Sequence, residues 1–283
     1  MVSILNLKKN YGDFSLDISM DILQGRITGL IGKNGAGKST AIKAIIGLLS
    51  PDGGSIKVFG KNPMELKPED KKDIGVALAD SGFSGYLTIS DIAKILDKMY
   101  DDFDKDIFLK KCNRCGLKQD KQIQKFSTGM KAKLRVLVAL SHNANLLIMD
   151  EPTAGMDIEA RIEIMDIIRE YMAEKEERSV LITSHIATDL EGLCDDVYLI
   201  DNGKIVLHED TDVILSDYAV MKIEEKDIGK IDQSFILSRK SEYFGYRCLT
   251  NQKQYYIENY PGIVIEKCGI DDLILMMNSG EVK

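Results

Sequence analysis

Four residues at fixed spacing, Gly32, Gly37, Lys38 and Ser39, stand in the stretch "GLIGKNGAGKST" and match the pattern G-x-x-x-x-G-K-[ST]. The preceding "RITGL" reads as a buried strand. The following "STAIKAIIGLLS" puts Ile42, Ile45, Ile46 and Leu49 at helical spacing. Strand, Gly-rich loop and helix is the order that phosphate binding needs. The glycines let successive backbone N–H groups turn inward, the helix N-terminus adds partial positive charge, and Lys38 reaches the outer phosphates. The cradle runs through Asn34 and Gly35 to Thr40, and the Ser39 hydroxyl suits Mg²⁺. A nucleoside triphosphate is the expected ligand.

A second group lies downstream. "LLIMDEP" places Asp150 at the end of an apolar run, where it can hold Mg²⁺ opposite Ser39, with Glu151 next to it to orient and polarise an attacking water. Such a pair taken alone is as often a strand end meeting solvent; the upstream loop favours the catalytic reading. "VLITSH" ends a further strand on His185, within reach of the γ-phosphate or Glu151 if both strands end on one sheet edge.

The elements that must position these groups follow from periodicity. "VSILNLKKNYGDFSLDISMDI" alternates apolar and polar positions on either side of a turn at Tyr11–Asp13, as in a small antiparallel sheet. "SIKVFG" and "DIGVALA" predict strands. "TISDIAKILDKMY", "DKDIFLKKCNRCGL" and "STGMKAKLRVLVALSH" predict amphipathic helices, an insert from about 80 to 142. "NLLIMD", a helix over 158–173 and "SVLITSH" restore the strand–helix alternation of a parallel sheet, and "LIDNGKIVLHED" reads as a hairpin through Asn202–Gly203. From Asp217 on, "AVMKIEE", "GYRCLTN", "QYYIENY" and "GIVIEKC" read as short strands closed by the helix "IDDLILMMNSG". The charge runs "EKEER" and "DDFDKD" read as solvated. The expected fold is α/β: a P-loop NTPase core of RecA-like type with an antiparallel β subdomain and an inserted helical subdomain over 1–216, and a small α+β accessory unit over 217–283.

Composition narrows the class. The chain has 283 residues, 44% hydrophobic and 29% charged, which allows a full core with additions. A net charge of −8 argues against a protein that coats nucleic acid. No apolar run approaches a membrane span or a signal peptide, so a cytoplasmic location is expected. The five cysteines, an odd number, suit a reducing compartment. Cys112 and Cys115 form a C-x-x-C without a second ligand pair and read as helix-face residues, while His142 and His208 read as structural or surface residues.

These motifs together resemble the ATP-binding subunit of an ABC transporter over roughly residues 1–215. The resemblance implies that "GKNGAGKST" and "LLIMDE" are the Walker A and Walker B motifs, with ATP and Mg²⁺ as ligands. "FSTGMK" stands at the family's signature, with Ser127 and Gly129 retained but Thr128 and Met130 departing from its commonest form; such forms resemble drug, antibiotic-peptide and lipid exporters. Asp157 in "AGMD" closes the D-loop, His185 is the switch histidine, and Tyr11 matches the aromatic that stacks on adenine. Ser127 and the N–H groups after it make a second anion site, which in the family serves a partner's ATP. A homo- or heterodimer of cassettes and a separate membrane permease on the inner face of the membrane are therefore implied. One phosphate loop and no long coiled-coil insertion disfavour the family's ribosome and DNA-repair members; a regulatory module with little turnover is the other alternative, against which Glu151 and His185 stand. The family usually places a Gln at the end of the strand that enters the helical insert, and that place falls here on Ala79. Asp80 beside it is a hard oxygen donor that can take over the metal contact, or it caps the insert.

Overall fold

The computed structural model describes residues 1–279, 281 and 282. An antiparallel pair, β1 (Val2–Asn10) and β2 (Ser15–Ile22), leads to β3 (Ile27–Ile31), the Gly-rich loop and α1 (Lys38–Ile45). β4 (Gly53–Val58), α2 (Pro68–Lys71) and β5 (Ile74–Ala77) follow, then α3 (Ile89–Met99), α4 (Lys105–Arg114) and α5 (Thr128–Ala139). The chain continues as β6 (Leu146–Asp150), α6 (Ile158–Ala173), β7 (Ser179–Ser184), α7 (Ala187–Glu191), β8 (Asp196–Asp201), β9 (Lys204–Asp210) and α8 (Thr211–Asp217). Its C-terminal part comprises β10 (Ala219–Glu224), β11 (Ile236–Glu242), β12 (Gly245–Thr250), α9 (Lys253–Asn259), β13 (Val264–Lys267), α10 (Ile270–Ser279) and β14 (Glu281–Val282). Gly280 and Lys283, which belong to the expected terminal helix and accessory unit, lie outside the described residues.

β3, β6 and β7 are buried at every position, as parallel strands covered on both faces must be. They form the middle of a six-stranded sheet ordered β5-β6-β7-β3-β8-β9, in which β9 pairs antiparallel with β8. Side-chain alternation splits the core between the two faces. Leu147 and Met149 pack with the helices of the insert, whereas Leu146 and Ile148 pack with Ile42 and Ile45 of α1 and with the three-stranded sheet β2-β1-β4. The insert has its own start signals. Thr88 Oγ1 accepts from Asp91 N at 3.2 Å while Thr88 N donates to Asp91 Oδ2 at 3.1 Å, a reciprocal cap that begins α3. Asp80 therefore does not cap the insert.

Beyond Ser216 a five-stranded antiparallel sheet, β13-β10-β12-β11-β14, lies against the same core. Tyr218, Val220, Leu249, Ile270, Leu273 and Met276 join the apolar cluster that contains Leu190, Leu193 and Cys194. The sheet's other face holds a separate cluster around Met221, Ile223, Ile236, Cys248 and Tyr256.

Two expectations are corrected here. "QYYIENY" forms helix α9 and not a strand: Tyr256 and Tyr260 lie one turn apart with ring centroids 5.8 Å from each other, and Tyr256 is fully buried with its hydroxyl donating to Asp232 O at 2.6 Å. Tertiary packing overrides the β preference of tyrosine and isoleucine. The run "EKEER" is solvated only as far as Glu177. Arg178 is 3% exposed, stacks at 3.6 Å over the Tyr171 ring, donates to Asn143 Oδ1 at 2.6 Å and bonds the carbonyl of Tyr171. Its two terminal nitrogens are bonded, Nη1 also to Glu174 Oε2 at 2.7 Å, while Nε is buried without a partner, and a lysine could not reproduce this two-pronged fit. Among the described residues no helix is long and apolar enough to cross a membrane.

Because residues of the C-terminal sheet and α10 cover Leu190, Leu193 and Cys194, a chain ending at Ser216 would expose them. The expected loss is about 3–6 kcal/mol, the scale of uncovering two or three aliphatic side chains, read as a lower thermal midpoint by circular dichroism. An unchanged midpoint would mean that this layer is a passive addition.

Candidate functional site

The phosphate loop leaves the C-terminal end of the central strand β3 and becomes the first turn of α1. Two glycines in it are required by space. A Cβ on Gly32 would lie 2.2 Å from Ile200 O, and one on Gly37, at φ +116°, would lie 2.7 Å from Leu16 Cδ1. Lys38 is buried, and its ammonium donates to Gly32 O at 2.7 Å and Lys33 O at 3.3 Å. Burial pushes its pKa down, while the nearby Glu151 and Asp150 carboxylates oppose that shift.

The strand ends supply the acids. Asp150 and Thr183 are register partners across β6 and β7, and the Thr183 hydroxyl donates to Asp150 Oδ1 at 2.6 Å. Ser39 Oγ donates to the other oxygen, Oδ2, at 3.1 Å. Glu151 follows in a left-handed conformation, φ +51°, uncommon for a residue with a Cβ. Its N–H bonds to Thr183 Oγ1 at 3.0 Å and Thr183 O at 3.2 Å, which fixes that turn. Glu151 Oε2 then meets His185 Nδ1 at 2.6 Å and accepts from His185 N at 3.3 Å. Both contacts fall on one carboxylate oxygen, so Oε1 is the one left to take a proton.

Between loop and acids lies a cavity of about 310 Å³ lined by Lys38, Ser39, Thr40, Asp150, Glu151 and Asp80, with Asn34, Gly35, Gly37, Ala79, Lys33 and Phe14 completing it. The structure thus brings together the loop, the two acids and Asp80. His185 joins through Glu151. Tyr11 does not line the cavity: it is exposed, and its ring centroid lies 6.4 Å from that of Phe14, which does. Ser127, Gly129 and Asp157 also lie off this cavity. Ser127 Oγ caps α5 by accepting from Met130 N at 3.2 Å, and Asp157 caps α6 by accepting from Ala160 N at 2.8 Å. A Cβ on Gly129 would come within 3.2 Å of Gly155 O, so the start of α5 packs on the "AGMD" turn.

For the metal, Ser39 and Asp150 present adjacent hard oxygens, with Asp80 on the same cavity wall. That donor set fits Mg²⁺, which takes a few protein oxygens and completes its shell with phosphates and water. Among the described residues no cluster of three His, Cys, Asp or Glu forms a self-sufficient metal site. Cys112 and Cys115 are buried, with burial pushing their thiols up to about 12 and about 11, and so are inert. His142 stacks on Tyr100 at 4.0 Å and His208 on Tyr198 at 3.8 Å, both structural placements.

Sequence reasoning missed Thr183, Phe14 and Asp189. The buried Asp189 accepts from Thr153 Oγ1 at 2.7 Å and from Arg161 Nε at 3.0 Å, tying the loop after Glu151 to the helix after His185. A threonine two residues before His185 in "LITSH" was the available signal for Thr183.

The family model for the ABC transporter matches residues 16–154. The chain is 36% identical over 216 residues to a lantibiotic transport ATP-binding protein of Streptococcus pyogenes, covering 75% of this chain and 92% of that one. It is 35% identical over 210 residues to a bacitracin transport ATP-binding protein of Bacillus licheniformis, covering 73% and 68%. A solved structure of an ATP-binding subunit of an ABC transporter superposes with a TM-score of 0.67 at 25% identity, over 76% of this chain and 91% of that one. With that likeness extending over three quarters of its length, and with the phosphate loop and strand-end acids meeting in one cavity, the chain belongs to the ABC transporter family as an ATP-binding, ATP-hydrolysing subunit.

Proposed function

We propose that ATP occupies the cavity between Lys38 and Glu151 and that its hydrolysis drives a membrane permease which exports an antibiotic-peptide-like substrate. The observation that carries the catalytic part is the 2.6 Å contact between His185 Nδ1 and Glu151 Oε2, placed beside the Ser39–Asp150–Thr183 chain of hydrogen bonds. In this reading the loop N–H groups from Asn34 to Thr40 and the Lys38 ammonium hold the phosphates. Ser39, Asp150 and Asp80 would hold magnesium, which would supply positive charge to offset that of the phosphates. Glu151 takes the proton of the attacking water through Oε1, and His185 keeps the carboxylate aimed. Tyr11 stacks on the adenine at the open rim, next to Phe14.

Ser127, Gly129 and Asp157 have a different task. The N-terminus of α5 is a ready anion site, and it lies off this cavity. It serves the ATP of a second cassette, so that two cassettes close around two nucleotides and hydrolysis releases them. The region over 1–216 acts as the cassette and 217–283 as an accessory layer on it. The export substrate class rests on the likeness to the lantibiotic and bacitracin transport proteins. The permease would hold the chain at the inner face of the cell membrane.

Three variants test this reading. Glu151→Gln should retain ATP affinity, lose about 10²–10⁴ in turnover as general-base variants do, and accumulate an ATP-bound dimer in sizing chromatography; hydrolysis at the wild-type rate would remove Glu151 as the base. Lys38→Ala should weaken Mg-ATP binding more than about tenfold, the scale of one charge-assisted hydrogen bond, with an unchanged melt. Calorimetry showing retained affinity would refute its assignment. Asp80→Ala should raise the Mg²⁺ concentration needed for half-maximal hydrolysis and slow turnover, with ATP affinity little changed and Ala79→Gln partly restoring the rate. Wild-type Mg²⁺ dependence in Asp80→Ala would leave Ser39 and Asp150 as the only metal ligands.

A further inference from the structure

Only Ile186 separates His185 from α7, and α7 has five residues, too few to keep a helical shape or a direction without neighbours. Its position is set by what holds it. Helix α6 does so at three points: Arg161 Nε donates to Asp189 Oδ1 at 3.0 Å, Arg161 Nη2 to Thr188 Oγ1 at 3.3 Å, and Arg169 Nη2 to Gly192 O at 2.7 Å. Thr153, two residues past Glu151, adds its hydroxyl to Asp189 at 2.7 Å.

The remaining support comes from the far end of the chain. Leu273 and Met276 of α10 are fully buried in the cluster that holds Ala187 and Leu190 of α7. Glu191, the last residue of α7, is half-buried, and its Oε1 accepts from Ile270 N at 2.6 Å. That N–H opens α10 and has no partner within its own helix, and a carboxylate placed there also meets the positive end of the helix. The local alternative is weak: Asp272 Oδ2 reaches Gly269 N only at 3.4 Å, while its Oδ1 is engaged by Arg247 Nη2 at 3.1 Å. Glu191 therefore caps α10 from 79 residues away. The joint is also tight, since a Cβ on Gly269 would lie 2.7 Å from the same Glu191 Oε1.

We propose that Glu191 is a positioning residue: by capping α10 it fastens α7 to the C-terminal layer and so holds His185 against the Glu151 carboxylate. The inference rests on the catalytic reading of Glu151 and His185 given above. Six residues of continuous chain separate Glu191 from His185. A tilt of so short a helix about its Asp189 anchor moves its first residue as well as its last. The 2.6 Å contact between His185 Nδ1 and Glu151 Oε2 does not survive much of that movement, because a hydrogen bond is lost beyond roughly 3.2 Å. Nucleotide binding is spared, because Lys38, Ser39 and Asp150 take their partners from the phosphate loop, α1, β6 and β7. The C-terminal layer thus sets the rate of hydrolysis through α7 without contributing a group to the cavity.

Single-turnover hydrolysis of radiolabelled Mg-ATP by excess protein, with calorimetry of ATP binding, tests this on the full chain carrying Glu191→Ala, Glu191→Gln or Gly269→Ala, each alone and combined with His185→Ala. Glu191→Ala should slow hydrolysis roughly three- to tenfold, the scale of coupling through packed neighbours, with ATP affinity unchanged. Glu191→Gln keeps an oxygen for Ile270 N and should restore most of the rate. Gly269→Ala pushes the carboxylate off that N–H and should slow hydrolysis as Glu191→Ala does. In the His185→Ala background none of the three should change the rate that remains. Equal slowing in both backgrounds, equal slowing by Gln and Ala at position 191, or a wild-type rate in Gly269→Ala overturns the positioning role. A circular dichroism melt checks folding, and if Glu191→Ala does not fold, Gly269→Ala decides alone. Hydrolysis at the wild-type rate in His185→Ala would instead refute the catalytic reading on which the inference rests.

Discussion

The geometry of the site depends on the Asp150 carboxylate. One oxygen is held by Thr183 from the neighbouring strand and the other by Ser39 from the first turn of α1. The phosphate loop, β6 and β7 are thereby fixed to each other at the edge where parallel strands deliver ligand-binding groups. The placement of Glu151 and His185 is set from this point. The next residue, Glu151, must leave the strand in a left-handed turn because Thr183 takes its N–H, and that turn directs its side chain to His185. A carboxylate positioned by two strands and a helix needs no reorganisation when charge develops nearby, which is where electrostatic catalysis gains most.

A second set of contacts makes the loops after β6 and β7 one mechanical piece. Thr153 and Arg161 both bond Asp189, and Gly155 lies against Gly129 at the start of α5. Glu151, His185, the "AGMD" turn and the start of α5 are consequently linked through packed or hydrogen-bonded neighbours. Such a chain of contacts is a physical route for coupling, because buried polar groups that lose a partner are costly and tend to move together.

The sequence was most legible where structure is local. The strand, Gly-rich loop and helix around Lys38 are specified by adjacent residues, whereas the caps at Thr88, Ser127 and Asp157 were not read as caps although each is set by residues three positions apart. The strand-end acids were legible because the phosphate loop upstream singled them out from an ordinary strand end meeting solvent. What stayed hidden was set by distant partners. Thr183 matters only because β7 pairs with β6 in one register, and Asp189 only because α7 folds back on the loop after Glu151. Arg178 looked like part of a solvated charge run, since the Tyr171 ring and Asn143 that receive it are invisible in a local window. "QYYIENY" has the composition of a strand, but Asp232 and the cluster under Tyr256 make it a helix. Phe14 and Tyr11 are equally aromatic in sequence, and only the turn between β1 and β2 decides which faces the loop.

The contact between α10 and α7 has a consequence for synthesis. Ile270 N donates to Glu191 Oε1 at 2.6 Å across a separation of 79 residues, and Leu273 and Met276 close over the cluster around Leu190 and Leu193. At about 5–20 residues per second, a growing chain leaves that apolar surface without its cover for roughly 4–16 s after α7 has emerged. Through that interval the element following His185 is held by Thr153 and Arg161 through Asp189 but lacks the cover of α10. The nascent cassette therefore exposes a patch that chaperones or neighbouring chains can engage, and its closure marks the moment at which the histidine end of the site acquires its permanent support.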